Sequence, residues 1–185
     1  GTATVSNQSL SRDIIIMGTN REMFTVRNLS VKQGRMLPEN SETRATPVCI
    51  LGAKLAEELF KKSSPLGQWL RIGEYKYRVI GLLEQRGESL GLDLRDMAII
   101  PVRSAQMLFN SPALFRILLQ LKQTKFETST IVKINKTIAQ RHEGEADITI
   151  ISQDAMLSSF NKIIVAVTAS IGAIAAISLI VAGIL

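Results

Sequence analysis

Apolar positions in this 185-residue chain alternate, recur at helical spacing or run on unbroken in different places, and each mode predicts a different element. Arg12 to Met17 reads as a short buried strand ending at the turn cluster Gly18-Thr19-Asn20. Arg21 to Asn28 predicts a helical turn with Met23, Phe24 and Val26 in contact. In Val31 to Arg35, Gly34 supplies a backbone angle that a side chain would forbid. Pro38 to Thr46 is a polar surface loop. Pro47 to Leu51 is a strand, broken by Gly52 and followed by an amphipathic helix over Ala53 to Lys62. Leu55, Ala56, Leu59 and Phe60 share one face of that helix, with Lys54, Glu57, Glu58 and Lys61 on the other. Lys61 and Lys62 suit the negative pole of its dipole, and Pro65 stops it. Leu66 to Gly73 and Tyr75 to Leu83 predict two strands joined at Gly73-Glu74; Tyr75, Tyr77 and Val79 alternate with Lys76 and Arg78, the period of a half-buried strand. The glycine-bearing loop Gln85 to Asp96 leads to a strand at Met97 to Pro101 and a short helix over Ser104 to Phe109. Gly1 to Ser11 is polar and predicted to be loosely held, unless an upstream strand pairs there.

Beyond Asn110-Ser111-Pro112 the pattern changes. Arg116 to Lys122 predicts a strand, Lys125 to Glu143 a long helix ending near Gly144, and Asp147 to Ile151 a second strand. That order is a crossover unit whose strands are expected to be parallel. From about Gln153 the pattern is helical again and leads, after Lys162, into the uncharged run Ile163 to Leu185. A helix of about 20 apolar residues crosses a hydrocarbon layer of roughly 30 Å with its backbone polar groups satisfied internally. We therefore expect one continuous helix that enters a membrane. Ala166, Ala169, Ala173, Ala176 and Gly183 fall on one face of it, the small-residue register through which a second helix approaches closely. The run lies at the chain's end, so it is neither a signal nor a transit peptide. The start at Gly1 and the stop at Leu185 read as an excised piece of a longer membrane protein.

Without that run, about 160 residues remain, enough for one domain or two small ones. The formal charge of +6 is scattered along them, which disfavours a phosphate-tracking stripe and hence nucleic-acid binding. The one cysteine, Cys49, sits in the apolar stretch Val48 to Leu51 and reads as a buried hydrophobe. A nucleophilic pair would need Cys49 and the one histidine, His142, and each has an ordinary structural explanation. Asp93 and Asp96 lack the ligand count of a calcium loop, and Gly87-x-x-x-Gly91 lacks the lysine of a nucleotide-phosphate loop. The expectation is no catalytic residue, no metal and no cofactor.

Several stretches together resemble the periplasmic core domain of MacB-type ABC transporter permeases, the family of macrolide exporters and lipoprotein-releasing permeases. They are Val31 to Arg35, Val48 to Gly52 with Leu59-Phe60, Ser64 to Gln68, Tyr77 to Gly81, Ile99 to Pro101, Arg141 to Glu143 before Asp147 to Thr149, and Ala176 to Gly183. The family-motif positions are thus Gly34, Arg35, Gly52, Phe60, Pro65, Gly67, Gly81 and Pro101. Ala182 departs from the glycine often found there, and the usual first transmembrane helix and upstream strand are missing.

The resemblance implies an α+β, two-lobed periplasmic domain over 1–155. A porter-like βαβ lobe would comprise 1–28 and 113–155, with 29–112 inserted as a mixed α/β lobe and 156–185 as stalk and transmembrane helix. It implies a bacterial inner-membrane permease with 1–155 on the periplasmic or extracellular side. The expected partners are a second permease subunit in a homo- or heterodimer, a fused or separate cytoplasmic ATPase, and often a periplasmic adaptor. The role is noncatalytic, coupling ATP-driven motion to export or extraction of substrate. An FtsX-like regulatory permease acting on a cell-wall partner, and a membrane-anchored enzyme, are the alternatives.

Overall fold

The computed structural model describes residues 1–7, 10–39, 42–61, 63–84, 93–121, 123, 126–142, 144–145 and 148–184, with 153–159 and 177–184 as backbone. The chain divides into two compact units, 1–120 and 121–185.

In the first unit the strands are β1 (Thr2–Asn7), β2 (Leu10–Thr19), β3 (Val31–Gly34), β4 (Val48–Leu51), β5 (Trp69–Ile72), β6 (Tyr75–Leu83) and β7 (Met97–Pro101). They form one sheet in the order β3-β6-β4-β7-β2-β1-β5, and β5 pairs again with β6. That second pairing closes six of the strands into a ring. Tyr75 to Arg78 of β6 pair with β5, while Gly81 to Leu83 pair with β3 along the same edge, so β3 lies outside the ring. Closure shortens the unpaired edges that invite aggregation, although β1 meets β5 at only two residue pairs.

Alternate residues point inward and build the main core, with Val5, Ile16, Cys49, Leu51, Ile72 and Val79 among its most buried members. Helix α1 (Glu22–Val26) follows β2, α2 (Ala53–Phe60) follows β4 and α3 (Val102–Leu108) follows β7. Leu55, Ala56, Leu59 and Phe60 of α2 and Ala105 of α3 join the same cluster. The buried face expected of α2 is the one observed, and on β6 Tyr77 and Val79 are buried against exposed Lys76 and Arg78, whereas Tyr75, beside the hairpin turn, is exposed. At Gly18 a Cβ would lie 2.1 Å from the Cβ of Ala105, so α3 crosses β2 only because both residues are small.

A second cluster covers the outside of the ring, where Ile50, Met97 and Ile99 meet Phe24, Leu37, Leu83 and Leu94. Strands β4 and β7 are thus buried on both faces, which is why they read as unbroken apolar runs instead of alternating.

Strand β1 corrects the expectation of a loose N-terminus. It pairs antiparallel with β2 from Thr2↔Ile15 to Asn7↔Leu10 and with β5 at Val5↔Ile72 and Ser6↔Arg71. Only Val5 of β1 is buried, so its polar composition is that of an outward face and not of a loop.

The second unit holds α4 (Glu127–Arg141) and α5 (Gln153–Ile184), with no strand among its described residues. Ile131, Ile134 and Ile138 lie on the half-buried face of α4, and Gly144, at φ +96°, closes its end by donating its N–H to Ala139 O. The strands expected at 116–122 and 147–151 are not formed at the described residues 116–121 and 148–151, which have no neighbouring strand to complete a hydrogen-bond ladder. Helix α5 is unbroken for 32 residues, about 48 Å at the usual rise. Among the described residues no helix is long and apolar enough to cross a membrane. The described side chains of the expected span end at Ala176, and the remainder of it lies outside them.

Candidate functional site

The residues that carry nucleophilic chemistry in other proteins have structural work here. Cys49 is fully buried inside the ring, and desolvation raises its thiol far above the ordinary range, so no thiolate forms there at neutral pH. Tyr77 shares that interior and donates its hydroxyl to Ser104 O at 3.5 Å. Burial, and after it the charges of Tyr75 and Cys49, push its phenol up to about 12. His142 lies in the other unit, at the end of α4. Asp93 accepts hydrogen bonds from the backbone and side chain of Arg95, which hold its carboxyl down to about 2. Asp96 accepts from Arg12 at 3.0 Å and Lys54 at 2.9 Å, and Arg12 also donates to Glu58. Gly87 and Gly91 lie outside the described residues.

The motif positions prove to be points where backbone or core is tightly constrained. Gly34 has φ +90°, and a Cβ there would lie 2.2 Å from Ile80 O. Arg35 donates its N–H to that same oxygen, and a Cβ on Gly81 would meet Arg35 O at 2.6 Å. Together they seat β3 on β6. Gly52 opens α2 where a Cβ would lie 2.3 Å from Arg95 O, and Phe60 ends the helix inside the core. Pro65 accepts from Gln68 N across a four-residue turn with Gly67 third at φ +81°, the geometry a type II turn demands. Pro101 ends β7 and precedes α3. On α5, Ala166, Ala169, Ala173 and Ala176 are exposed, while the Gly183 side of the stripe lies beyond the described side chains.

The surface of the described residues includes two cavities. One, of about 470 Å³, is lined by Arg21, Glu22, Glu39 and Glu42, and its charges are partly met internally: Arg21 pairs with Glu39 at 2.9 Å, and Glu42 accepts from Asn20 at 3.0 Å. The other is a groove of about 810 Å³ beside the β5–β6 hairpin, whose lining includes Ser6, Pro47, Trp69, Leu70, Arg71 and Lys76. Across the hairpin Trp69 stands opposite Arg78, and Arg71 opposite Lys76. The alternation of β6 puts Lys76 and Arg78 on this face, but Trp69 and Arg71 have no sequence signal of their own. The juxtaposition follows from strand register.

The first unit thus combines a buried core, ion-paired Asp93, Asp96 and Glu58 on its surface, and an open basic groove. Residues 1–148 match the MacB-like periplasmic core domain, and the chain belongs to that family. It is 28% identical over 187 residues to the pyoverdine export ATP-binding/permease protein PvdT of Pseudomonas entomophila (strain L48), covering 100% of this chain and 29% of PvdT. It is 27% identical over 172 residues to the ABC transporter permease YknZ of Bacillus subtilis (strain 168), covering 93% of this chain and 43% of YknZ. The chain thus spans less than half the length of these relatives. Its fold matches the extracellular domain of YknZ with a TM-score of 0.70 at 23% identity, over 82% of this chain and 77% of that one. It matches the periplasmic region of MacB from Actinobacillus actinomycetemcomitans with a TM-score of 0.68 at 18% identity, over 87% and 72% of the two chains.

Proposed function

We propose that this chain is the outward-facing domain of an ABC transporter permease, and that it passes motion driven by a cytoplasmic ATPase to the extracytoplasmic side without chemistry of its own. The observation that carries this is the family match over 1–148 in a chain that continues as one helix to Ile184 with no charge after Lys162. On this reading 163–185 begins a membrane-crossing helix, because its uncharged length meets the requirement of about 20 residues. Residues 1–155 then lie on the periplasmic or extracellular side of a bacterial inner membrane. An unbroken α5 suits transmission, since a helix with its hydrogen bonds intact moves as a rod.

The partners follow from the same reading. A second permease subunit would approach along Ala166, Ala169, Ala173, Ala176 and Gly183. The ATPase is fused to the permease in PvdT, as its name states, and either arrangement suits this chain. A periplasmic adaptor completes the set, and PvdT's export of pyoverdine supports outward movement of a secreted product. A lobe built on 113–155 is supported by the alternation Phe115, Ile117, Leu119, Leu121 and by the amphipathic α4. Its expected members β1 and β2 pair with β5 and β7 in the closed ring, so the grouping of 1–28 with that lobe rests on the family analogy.

The test is labelling of whole cells that carry the intact transporter. A membrane-impermeant maleimide should modify Met107→Cys, an exposed position, without lysis, whereas native Cys49 stays unreactive. Trapping the ATPase with vanadate should change the labelling rate. Modification of Met107→Cys only after lysis would overturn the orientation.

A further inference from the structure

We infer that the groove beside the β5–β6 hairpin is a docking site for an acidic, extended segment of a partner protein on the extracytoplasmic side. The compartment rests on the orientation proposed above; the recognition chemistry is read from the groove itself.

Charge is the first argument. Arg71 and Lys76 line the groove, no carboxylate does, and neither cation has an ion-pair partner among the described residues. Arg78, opposite Trp69, extends the basic surface, with its Nε donating to Gly67 O at 3.1 Å. The acids Asp13 and Glu74 form no ion pair with either cation among the described residues. Asp13, on β2, accepts the Thr4 hydroxyl at 2.6 Å, and Glu74 occupies the hairpin turn.

The second argument is a local cost. Arg71 and Lys76 are directly opposed across the two strands, and like charges so placed weaken a sheet. A glutamate at either position would strengthen the hairpin. A pair that works against its own fold is the kind of inconsistency that marks functional surfaces.

Shape and composition then select the occupant. Trp69 is 54% exposed beside two arginines, and tryptophan and arginine are the residues that most often anchor interfaces. The trough is open, so a small molecule in it would stay wet on one side, whereas small-molecule sites bury most of their ligand. On its β1 side β5 is paired only at Arg71 and Ile72, which leaves Trp69 and Leu70 facing the groove. An extended segment with carboxylates toward Arg71 and Lys76 and an apolar side chain on the indole fits all of these features.

Trp69 is the sole tryptophan, so its emission reports from the groove directly. The full chain in detergent would be titrated with a synthetic peptide of alternating glutamate and leucine, with a lysine-leucine peptide and with phosphatidylglycerol vesicles. The expected result is a saturable emission change with the glutamate peptide alone, weakened at least about tenfold by Arg71→Glu with Lys76→Glu and weakened again by salt. Arg71→Glu alone should lower affinity while leaving the melting temperature unchanged or raised, because it replaces like charges with opposite ones. That split separates docking from folding. An equal response to both peptides, no response, or a response that survives the double variant would overturn the inference. So would a vesicle response with the same dependence on Arg71 and Lys76, which would assign the surface to lipid. If Met107→Cys is labelled from outside and the peptide fails to bind, only the groove falls; if the peptide binds and outside labelling fails, only the orientation falls.

Discussion

At the scale of single residues, Asp96 ties together parts of the chain that no local pattern connects. Its Oδ2 accepts Arg12 of β2 and Lys54 of α2, while Oδ1 is buried without a hydrogen-bond partner. Partial burial by itself would raise this carboxyl's pKa. The hydrogen bonds and charges of Arg12 and Lys54 outweigh that and hold it below the usual carboxylate range. With the folded value below the unfolded one, near 3.9, the contribution is full above the unfolded value and is lost as pH falls through the folded one. Asp96→Asn should therefore cost about 1–2 kcal/mol at neutral pH, the worth of hydrogen bonds to a charged group, and progressively less below about pH 4. Urea midpoints of both proteins across that range check it, and a gap constant down to pH 2 would locate the cost in packing instead. Gly34 behaves differently. Its need for a backbone angle that a side chain would forbid is legible in the sequence, and it adopts φ +90° under Ile80 O. Gly34→Ala combines a strained backbone with a contact at 2.2 Å, so a loss of about 2 kcal/mol or more is expected by chemical denaturation. Asp96 was read as a loop acid because its partner Arg12 is 84 positions away, a distance periodicity does not see.

At the scale of elements, what was legible is what buries one face at a regular period. Helix α2 announces itself by Leu55, Ala56, Leu59 and Phe60, and those four residues are the buried ones. Leu55→Ala should destabilise by about 2–5 kcal/mol, whereas Glu57→Ala, on the exposed face, should stay within about 0.5 kcal/mol; thermal melts of the two variants compare them directly. Comparable losses from both would mean that α2 does not pack on the ring through the face assigned to it. Strand β1 escaped because its stability comes from β2 and β5, with one buried valine as its only apolar contribution. The opposite error fell at 116–121 and 148–151, where the alternation is strong but no neighbouring strand supplies hydrogen bonds. Pattern reports which face a strand would bury. Pairing decides whether it forms, and β5, joined to both β1 and β6, shows that pairing can also close a sheet that reads as a series of separate hairpins.

At the scale of the molecule, the family was legible from the order of its motif stretches, and Gly34, Gly52, Phe60, Gly67, Gly81 and Pro101 prove to be points of constrained backbone or core in the first unit. At Gly34, Gly52 and Gly81 backbone passes too close for a side chain, so these positions mark the fold and say little about function. The basic groove, by contrast, depends on Trp69 meeting Arg78 and Arg71 meeting Lys76 across the hairpin; the turn at Gly73-Glu74 sets that register, but nothing in the linear pattern marks the pairs as a site. On the proposed reading, α5 is the part of the molecule that would carry motion between membrane and domain. Its described side chains from Phe160 to Ala176 are all exposed, Ile163, Ile164, Val165, Ile171 and Ile174 among them. A helical surface that apolar has a large cost in water. If a bilayer covers it, two lysines near its middle, Ala169→Lys with Ala173→Lys, oppose insertion by about 2.5–3.5 kcal/mol each. The native chain should then stay with membranes through alkaline carbonate washing, and the double variant should move largely to the supernatant while the ring keeps its melting transition. A native chain released by the wash would mean that something other than lipid covers these residues. A double variant retained as firmly as the native chain would put the membrane attachment outside α5, and the proposed route for force from the ATPase would fail with it.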